Sequence, residues 1–287
     1  MMSVLYVNNN GTLLPADAPT IHPGNRGHLY GDGVFESIRV IAGRPVNIEN
    51  HIKRLIEGAK AIKMRTPSYF NSIFFEEKLN ELLQKSNIKE GGRCRLSLDR
   101  VTGGAYLPDS NECTYYIEVY PYDVNHFELN AKGLEVDIYQ DIKLQKNFLS
   151  NYKTKTGLTY VMAAISAQEK GLDDVFLSND KGNILETSSC NIFIVSNGVL
   201  YTPSLDEGCL AGTMRMQIVN LAIMHGIKVY ECAILPQNIL AADEIFVTNA
   251  IRGINWVGGY RTKRFYNNMS RKLVVLLNEF WEKKLGL

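Results

Sequence analysis

Tight turns set between short β-rich runs recur in both halves of this chain, and they limit what it can fold into. Asn10-Gly11 joins two such runs in VLYVNNNGTLL, a pair whose turn needs positive φ. Gly43-Arg44-Pro45, Lys181-Gly182 and Asn197-Gly198 punctuate the chain in the same way. Strands are predicted over 35–41, 93–99, 114–120, 134–139, 174–178, 191–195, 228–235 and 244–248. Helices are predicted over 49–64, 71–86, 157–170, 214–225 and 270–284. In the first of them Ile52, Leu55, Ile56, Ala59 and Ile62 fall on one 3.6-period face, and the third stops at Gly171. The strands come in hairpin-like runs, not in strict βαβ alternation, so the expected class is α+β. A chain of 287 residues suits two modest domains. The stretch Pro121 to Asn130 is polar and loses periodicity, which predicts a smaller domain over 1–121, a linker over 122–130 and a larger domain over 131–287.

Composition narrows the function classes. Thirty-one basic and 30 acidic side chains leave a net charge of +1, without the footprint of a nucleic-acid or anionic-membrane partner. The start, MMSVLYVNNNG, has neither a basic n-region nor a useful apolar run, so no signal peptide is expected. No stretch approaches the ~20 apolar residues that span a bilayer. The five cysteines, Cys94, Cys113, Cys190, Cys209 and Cys232, are scattered and form no CxxC. They predict reduced thiols in a cytoplasm, with neither a disulfide frame nor a metal site.

Four features carry chemistry. Lys153, in NYKTKTGLTYVMA, lies just before a helix and outside any charged run. Such an amine can form a Schiff base if burial keeps it neutral, although a solvated lysine at a helix start looks the same and Lys155 competes with it. Glu186, in GNILETSSCNIF, follows a tight turn. A carboxylate there can keep a pyridine nitrogen protonated, or it can simply face water at a strand end. Gly212 and Thr213, in CLAGTMRMQIVNLAIMHG, open a helix whose backbone N–H groups can cradle a phosphate. That opening matches neither GxGxxG nor the P-loop. Arg54, in HIKRL, sits at the edge of the first helix's apolar face, where it can grip a phosphate bidentately or snorkel to solvent.

Taken in order, YGDGVFESIRV, HIKRL, the lysine block, LETSSCNIFIVSNGVLYTP, LAGTMR and ADEIFVTNA resemble the fold-type IV pyridoxal-phosphate enzymes, the class IV aminotransferases and their lyase relatives. The resemblance runs from about Tyr30 to Val257 and implies a two-domain fold like that of D-amino acid aminotransferase. The step from Lys153 to Gly171 matches the family's run from its lysine to the glycine ending the next helix, which selects Lys153 over Lys155. The resemblance further implies that Lys153 holds pyridoxal 5'-phosphate and shuttles the proton, and that Glu186 pairs with the pyridine nitrogen. Arg54, the backbone of Thr213 and Met214, and Asn249 would bind the phosphate. Tyr30, Phe35, Arg39, Tyr106 and Ala250 would lie on the substrate side. A homodimer is implied, with the loop around Thr102 to Tyr106 reaching toward a neighbouring active site.

Departures from the pattern bear on the reaction. Thr248-Asn249-Ala250-Ile251 stands where branched-chain and D-amino acid aminotransferases carry TGTA or TSTT. The Asn-Ala pair, Met214-Arg215 and the stretch from Arg100 to Tyr106 resemble the aminodeoxychorismate lyases. Glu36 after Phe35 is the aminotransferase pattern, and Thr156 replaces a common asparagine. The expected reaction is therefore release of p-aminobenzoate and pyruvate from 4-amino-4-deoxychorismate for folate synthesis. The alternative is branched-chain transamination with 2-oxoglutarate.

Overall fold

The computed structural model describes residues 5–287, which divide into two compact units. The first comprises residues up to His126 together with Tyr152–Thr156, and the second comprises Phe127–Asn151 and Gly157–Leu287. Division at a single linker would place Lys153 with the second half. Its segment joins the first unit because it runs beside a strand of that unit: Thr154 bridges Val34, Phe35 N–H donates to Lys153 O at 3.0 Å, and Lys155 N–H donates to Gly33 O at 2.9 Å.

The first unit is built from β1 (Tyr6–Asn9), β2 (Thr12–Pro15), α1 (Arg26–Leu29), β3 (Gly33–Ile41), β4 (Arg44–Pro45), α2 (Ile48–Ala61), α3 (Ser72–Lys85), β5 (Gly92–Arg100) and β6 (Cys113–Pro121). Its six strands form one antiparallel sheet in the order β2-β1-β6-β5-β3-β4. The hairpin at Asn10-Gly11 turns with φ of 51° and 98°, as the dipeptide requires. Ile52, Leu55 and Ala59 of α2 are buried against Val34, Ile38 and Val40 of β3 and against Phe75, Leu79 and Leu82 of α3, while Ile56 and Ile62 pack at the margin. Because strand residues alternate between faces, that packing leaves Phe35, Ser37 and Arg39 on the other side of β3.

The second unit holds β7 (Leu134–Ile138), α4 (Leu158–Glu169), β8 (Asp174–Ser178), β9 (Ile184–Thr187), β10 (Asn191–Ser196), β11 (Val199–Pro203), α5 (Thr213–Met224), β12 (Val229–Cys232), α6 (Pro236–Ala241), β13 (Glu244–Asn249), β14 (Gly253–Tyr260), β15 (Lys263–Arg264) and α7 (Asn268–Leu285). The path β10-β13-β14-β7-β8-β9 closes on itself, because Glu186 of β9 pairs with Asn191 of β10. Val136, Phe176, Ile192, Ile245, Val247 and Val257 of these strands form one buried cluster with Ile239 of α6. The pairs β14–β7, β7–β8 and β11–β12 are parallel. Strand β14 and helix α6 lie outside the predicted elements. Among the described residues no helix is long and apolar enough to cross a membrane, and all five cysteines are free thiols.

Candidate active site

In the first unit, the pairing of Val34 with Thr154 sets the side chains of Lys153 and Lys155 on different partners. The Lys155 ammonium forms an ion pair with the buried carboxylate of Asp99, whose other oxygen accepts from Asn25 Nδ2 at 3.1 Å. Lys153 Nζ lies 4.5 Å from the centroid of the Phe35 ring, and the Arg95 guanidinium lies 3.8 Å from that same ring. Of the two lysines, Lys153 lies against an aromatic face, and Lys155 pairs with the buried Asp99 carboxylate.

Arg54 makes a bidentate pair, but with protein. Its Nε donates to Glu36 Oε1 at 2.6 Å and its Nη2 to Glu36 Oε2 at 2.5 Å, while His51 Nδ1 lies 2.6 Å from Oε2. The Glu36 side chain is fully buried. Burial alone would raise its carboxyl, but the Arg54 and His51 charges and their hydrogen bonds outweigh that and hold it at about 2. The Nε–Nη2 edge of the guanidinium therefore faces Glu36. Arg39 is packed within the first unit. It is 1% exposed, stacks on Tyr122 with its Cζ 3.9 Å from the ring centroid, and donates to the carbonyls of Val124 and His126. Strand β3 points Arg39 at the Tyr122–His126 segment, where its long side chain fastens the chain leaving β6. Tyr30 and Tyr106 do come together, their ring centroids 5.5 Å apart, and both are exposed.

In the second unit, Glu186 is 4% exposed and accepts from Tyr160 O–H at 2.7 Å on Oε1 and from Leu210 N–H at 2.9 Å on Oε2. Burial and then the Glu186 charge push the Tyr160 hydroxyl well above its ordinary value, so it stays a donor. Leu210 lies just before α5, which opens at Gly212 without a side-chain cap. Thr213 and Met214 form the buried first turn of α5. Asn191 ties these parts together. Its backbone pairs with Glu186 and with Thr248, and its Nδ2 donates to Leu210 O at 2.9 Å. A Cβ at position 212 would collide with Asn191 Oδ1, so glycine is required there by close approach and not by φ. The Asn249 side chain builds the β13–β14 turn: Oδ1 accepts from Ile251 N–H at 3.1 Å and Arg252 N–H at 2.8 Å, and Nδ2 donates to Cys190 Sγ at 3.1 Å. Its Oδ1 is engaged inside the turn, and its Nδ2 reaches across to Cys190. Ala250, half-buried, follows at the turn's apex.

A model of the family described as amino-transferase class IV matches residues 33–257, well over half the chain. The chain belongs to the class IV aminotransferases. It is 31% identical to a putative branched-chain-amino-acid aminotransferase of Methanocaldococcus jannaschii over 252 residues, covering 83% of this chain and 82% of that one. It is 26% identical to the aminodeoxychorismate lyase of Bacillus subtilis over 257 residues, covering 86% and 83%. An aminotransferase from Brucella abortus bound to PLP shares the fold with a TM-score of 0.82 at 21% identity, covering 97% of this chain and 98% of that one.

This class IV chain is a pyridoxal-phosphate-dependent enzyme, and its residues fit that cofactor. Glu186 is a buried carboxylate oriented by Tyr160 and Leu210, the kind of group that can pair with a ring nitrogen. The uncapped start of α5 suits an anion. Glu36, His51, Asn191 and Tyr160 were not identified as site residues from sequence. Glu36 and His51 sit inside the quoted YGDGVFESIRV and HIKRL strings, and Asn191 inside LETSSCNIF. Tyr160 carried no local signal, because its partner Glu186 lies 26 residues away.

Proposed function

We propose that this chain is a 4-amino-4-deoxychorismate lyase, releasing p-aminobenzoate and pyruvate. The observation that carries this reading is the turn after β13. Asn249 closes it with its own side chain, so the next position presents only the Ala250 methyl. The aminotransferase pattern has hydroxyls there; a methyl leaves room beside a ring-bearing substrate. A second observation supports the first. Arg100 turns inward to Asp32, Asn111 and the Ile62 carbonyl, so the loop that follows it carries no charged clamp for an amino-acid carboxylate.

When bound, the cofactor supplies the electron sink for cleavage. Lys153 would hold it covalently, remove the proton from the amine-bearing carbon and return a proton to the departing enolpyruvyl group, which leaves as pyruvate. Glu186, oriented by Tyr160 and Leu210, holds the ring-nitrogen proton. The first turn of α5 binds the phosphate, and so does Arg54, whose guanidinium is oriented by Glu36. Tyr30, Phe35, Tyr106 and Ala250 contact the substrate, and the active form is a homodimer.

Glu36 favours the runner-up. It follows Phe35 as in the aminotransferases, and a relative 31% identical bears a branched-chain aminotransferase name. Purified protein assayed in parallel for p-aminobenzoate release and for transamination decides between them. Fast exchange between a branched-chain amino acid and 2-oxoglutarate, with no p-aminobenzoate formed, would sink the lyase reading.

A further inference from the structure

A cation on a four-residue helix is 3% exposed, and it is not among the residues assigned to chemistry above. Arg26 of α1 points its guanidinium into the loop after β5. Nη1 lies 2.9, 3.2 and 2.5 Å from the carbonyl oxygens of Gly103, Gly104 and Ala105, and Nη2 lies 3.4 Å from that of Tyr106. Nε donates to Asp32 Oδ2 at 2.8 Å, and Arg100 Nε donates to the same oxygen at 2.9 Å. Two guanidinium charges thus face one carboxylate in a largely buried cluster, and the loop's carbonyl dipoles supply the remaining negative field.

Four consecutive carbonyls cannot converge on one cation in a strand, where they alternate in direction. Here Gly103 and Gly104 adopt φ of 127° and 71°, and a Cβ at Gly104 would strike Leu107 O. The glycine pair therefore lets the loop wrap its own arginine. The wrapped loop delivers Tyr106 beside Tyr30, and Arg26 Cζ lies 4.9 Å from the Tyr30 ring centroid. One side chain fixes both members of the exposed aromatic pair.

We propose that Arg26, braced by Asp32, is a positioning residue that sets the conformation of the Gly103–Tyr106 loop and thereby substrate affinity, without touching the substrate. The proposal rests on the reading that Tyr30 and Tyr106 contact the substrate; it does not depend on whether the reaction is lysis or transamination. Lysine cannot replace arginine here, because an ammonium lacks the planar fork that spans several acceptors.

The test compares wild type, Arg26→Ala, Arg26→Lys and the double variant with Tyr106→Ala, all as holoenzymes. Amide hydrogen exchange across residues 102–107 reads the loop without substrate. Steady-state kinetics use whichever substrate the wild type converts. Arg26→Ala is expected to speed exchange in the loop and raise KM about tenfold, the equivalent of about 1.4 kcal/mol, with kcat within about threefold. Most of that KM effect should vanish in the Tyr106→Ala background, since coupled residues are non-additive. Should the alanine variant fail to fold, Arg26→Lys is expected to show the same pattern more weakly. Unchanged exchange, an unchanged KM, a fall in kcat alone, or a KM effect undiminished in Tyr106→Ala each overturns the proposal. Failure of the lyase reading shows separately, as a wild type that releases no p-aminobenzoate.

Discussion

Arg54 and Glu36 face each other edge to edge across α2 and β3, with two N–H···O contacts of 2.6 and 2.5 Å. The carboxylate is fully buried and also lies against His51. Removing one partner of such a group strands the other as an uncompensated charge, which costs roughly 3–5 kcal/mol. Glu36→Gln is expected to lower the melting temperature accordingly and to weaken cofactor binding, because Arg54 loses its orientation. Equilibrium dialysis and thermal melts measure the two effects. A variant with wild-type stability and cofactor affinity would show the pair to be dispensable.

The same pair dictates a pH dependence. Glu36 titrates at about 2 in the folded chain against an ordinary value of 4.5. A depressed carboxyl contributes stability that is fully present above the unfolded value and is lost as pH falls through the folded one. The contribution, on the order of 3 kcal/mol by linkage, should therefore disappear between about pH 4.5 and 2. Denaturant melts at several pH values are expected to show this loss in wild type, and a smaller loss over the same window in Glu36→Gln.

Lys153 and Lys155 separate by what each replacement removes. Lys153→Ala should abolish the cofactor's visible absorbance band and cut turnover by several orders of magnitude, since anchor and acid–base group go together. Lys155→Ala should keep the band but lose about 2 kcal/mol of stability, because the carboxylate of Asp99 loses its ion-pair partner. If Lys155→Ala loses the band while Lys153→Ala keeps it, the assignment is reversed.

Sequence patterns read well where the signal is local. The α2 face, the Asn10-Gly11 hairpin and the start of α5 all follow from residues within two turns of each other. What escaped depends on partners far apart in the chain. Arg54 shows its phosphate-binding pattern in HIKRL, yet its orientation comes from Glu36, 18 residues earlier on a different element. The loop of Gly103 and Gly104 wraps Arg26, 77 residues before Gly103, a partner no local pattern marks. Arg39 lies on the face of β3 opposite α2, and its length carries the guanidinium to Val124, 85 residues on.

Glu186→Gln should retain fold and cofactor while losing at least about 100-fold in turnover, near 2.7 kcal/mol of transition-state stabilisation. The amide cannot hold the ring-nitrogen proton, so the electron sink weakens. Tyr160→Phe is expected to fall between the two, as it removes one donor to a charged group, worth roughly 1.5–3 kcal/mol, at 2.7 Å. Glu186→Gln with near-normal kcat would make Glu186 a structural strand residue.

Asn249 discriminates between building a turn and touching the phosphate. Its Oδ1 accepts from two backbone N–H groups of the turn, and its Nδ2 reaches the Cys190 thiol on another segment. Burial raises that thiol, while the Arg252 charge and the hydrogen bonds from Ser189 and Asn249 act against the rise, so the Cys190 group remains a neutral acceptor at neutral pH. Asn249→Asp preserves the oxygen that closes the turn and exchanges the donor for a negative charge. If Asn249 only shapes the turn, the aspartate variant should melt near wild type and bind cofactor within about threefold, under 0.7 kcal/mol. Asn249→Ala, which opens the turn, should cost about 1–2 kcal/mol of stability. Against a phosphate, by contrast, the new carboxylate would repel a dianion at close range, and cofactor affinity would fall by tenfold or more while stability stayed the same. That second pattern would restore the direct phosphate contact implied by the family resemblance and remove the turn from the argument for a lyase.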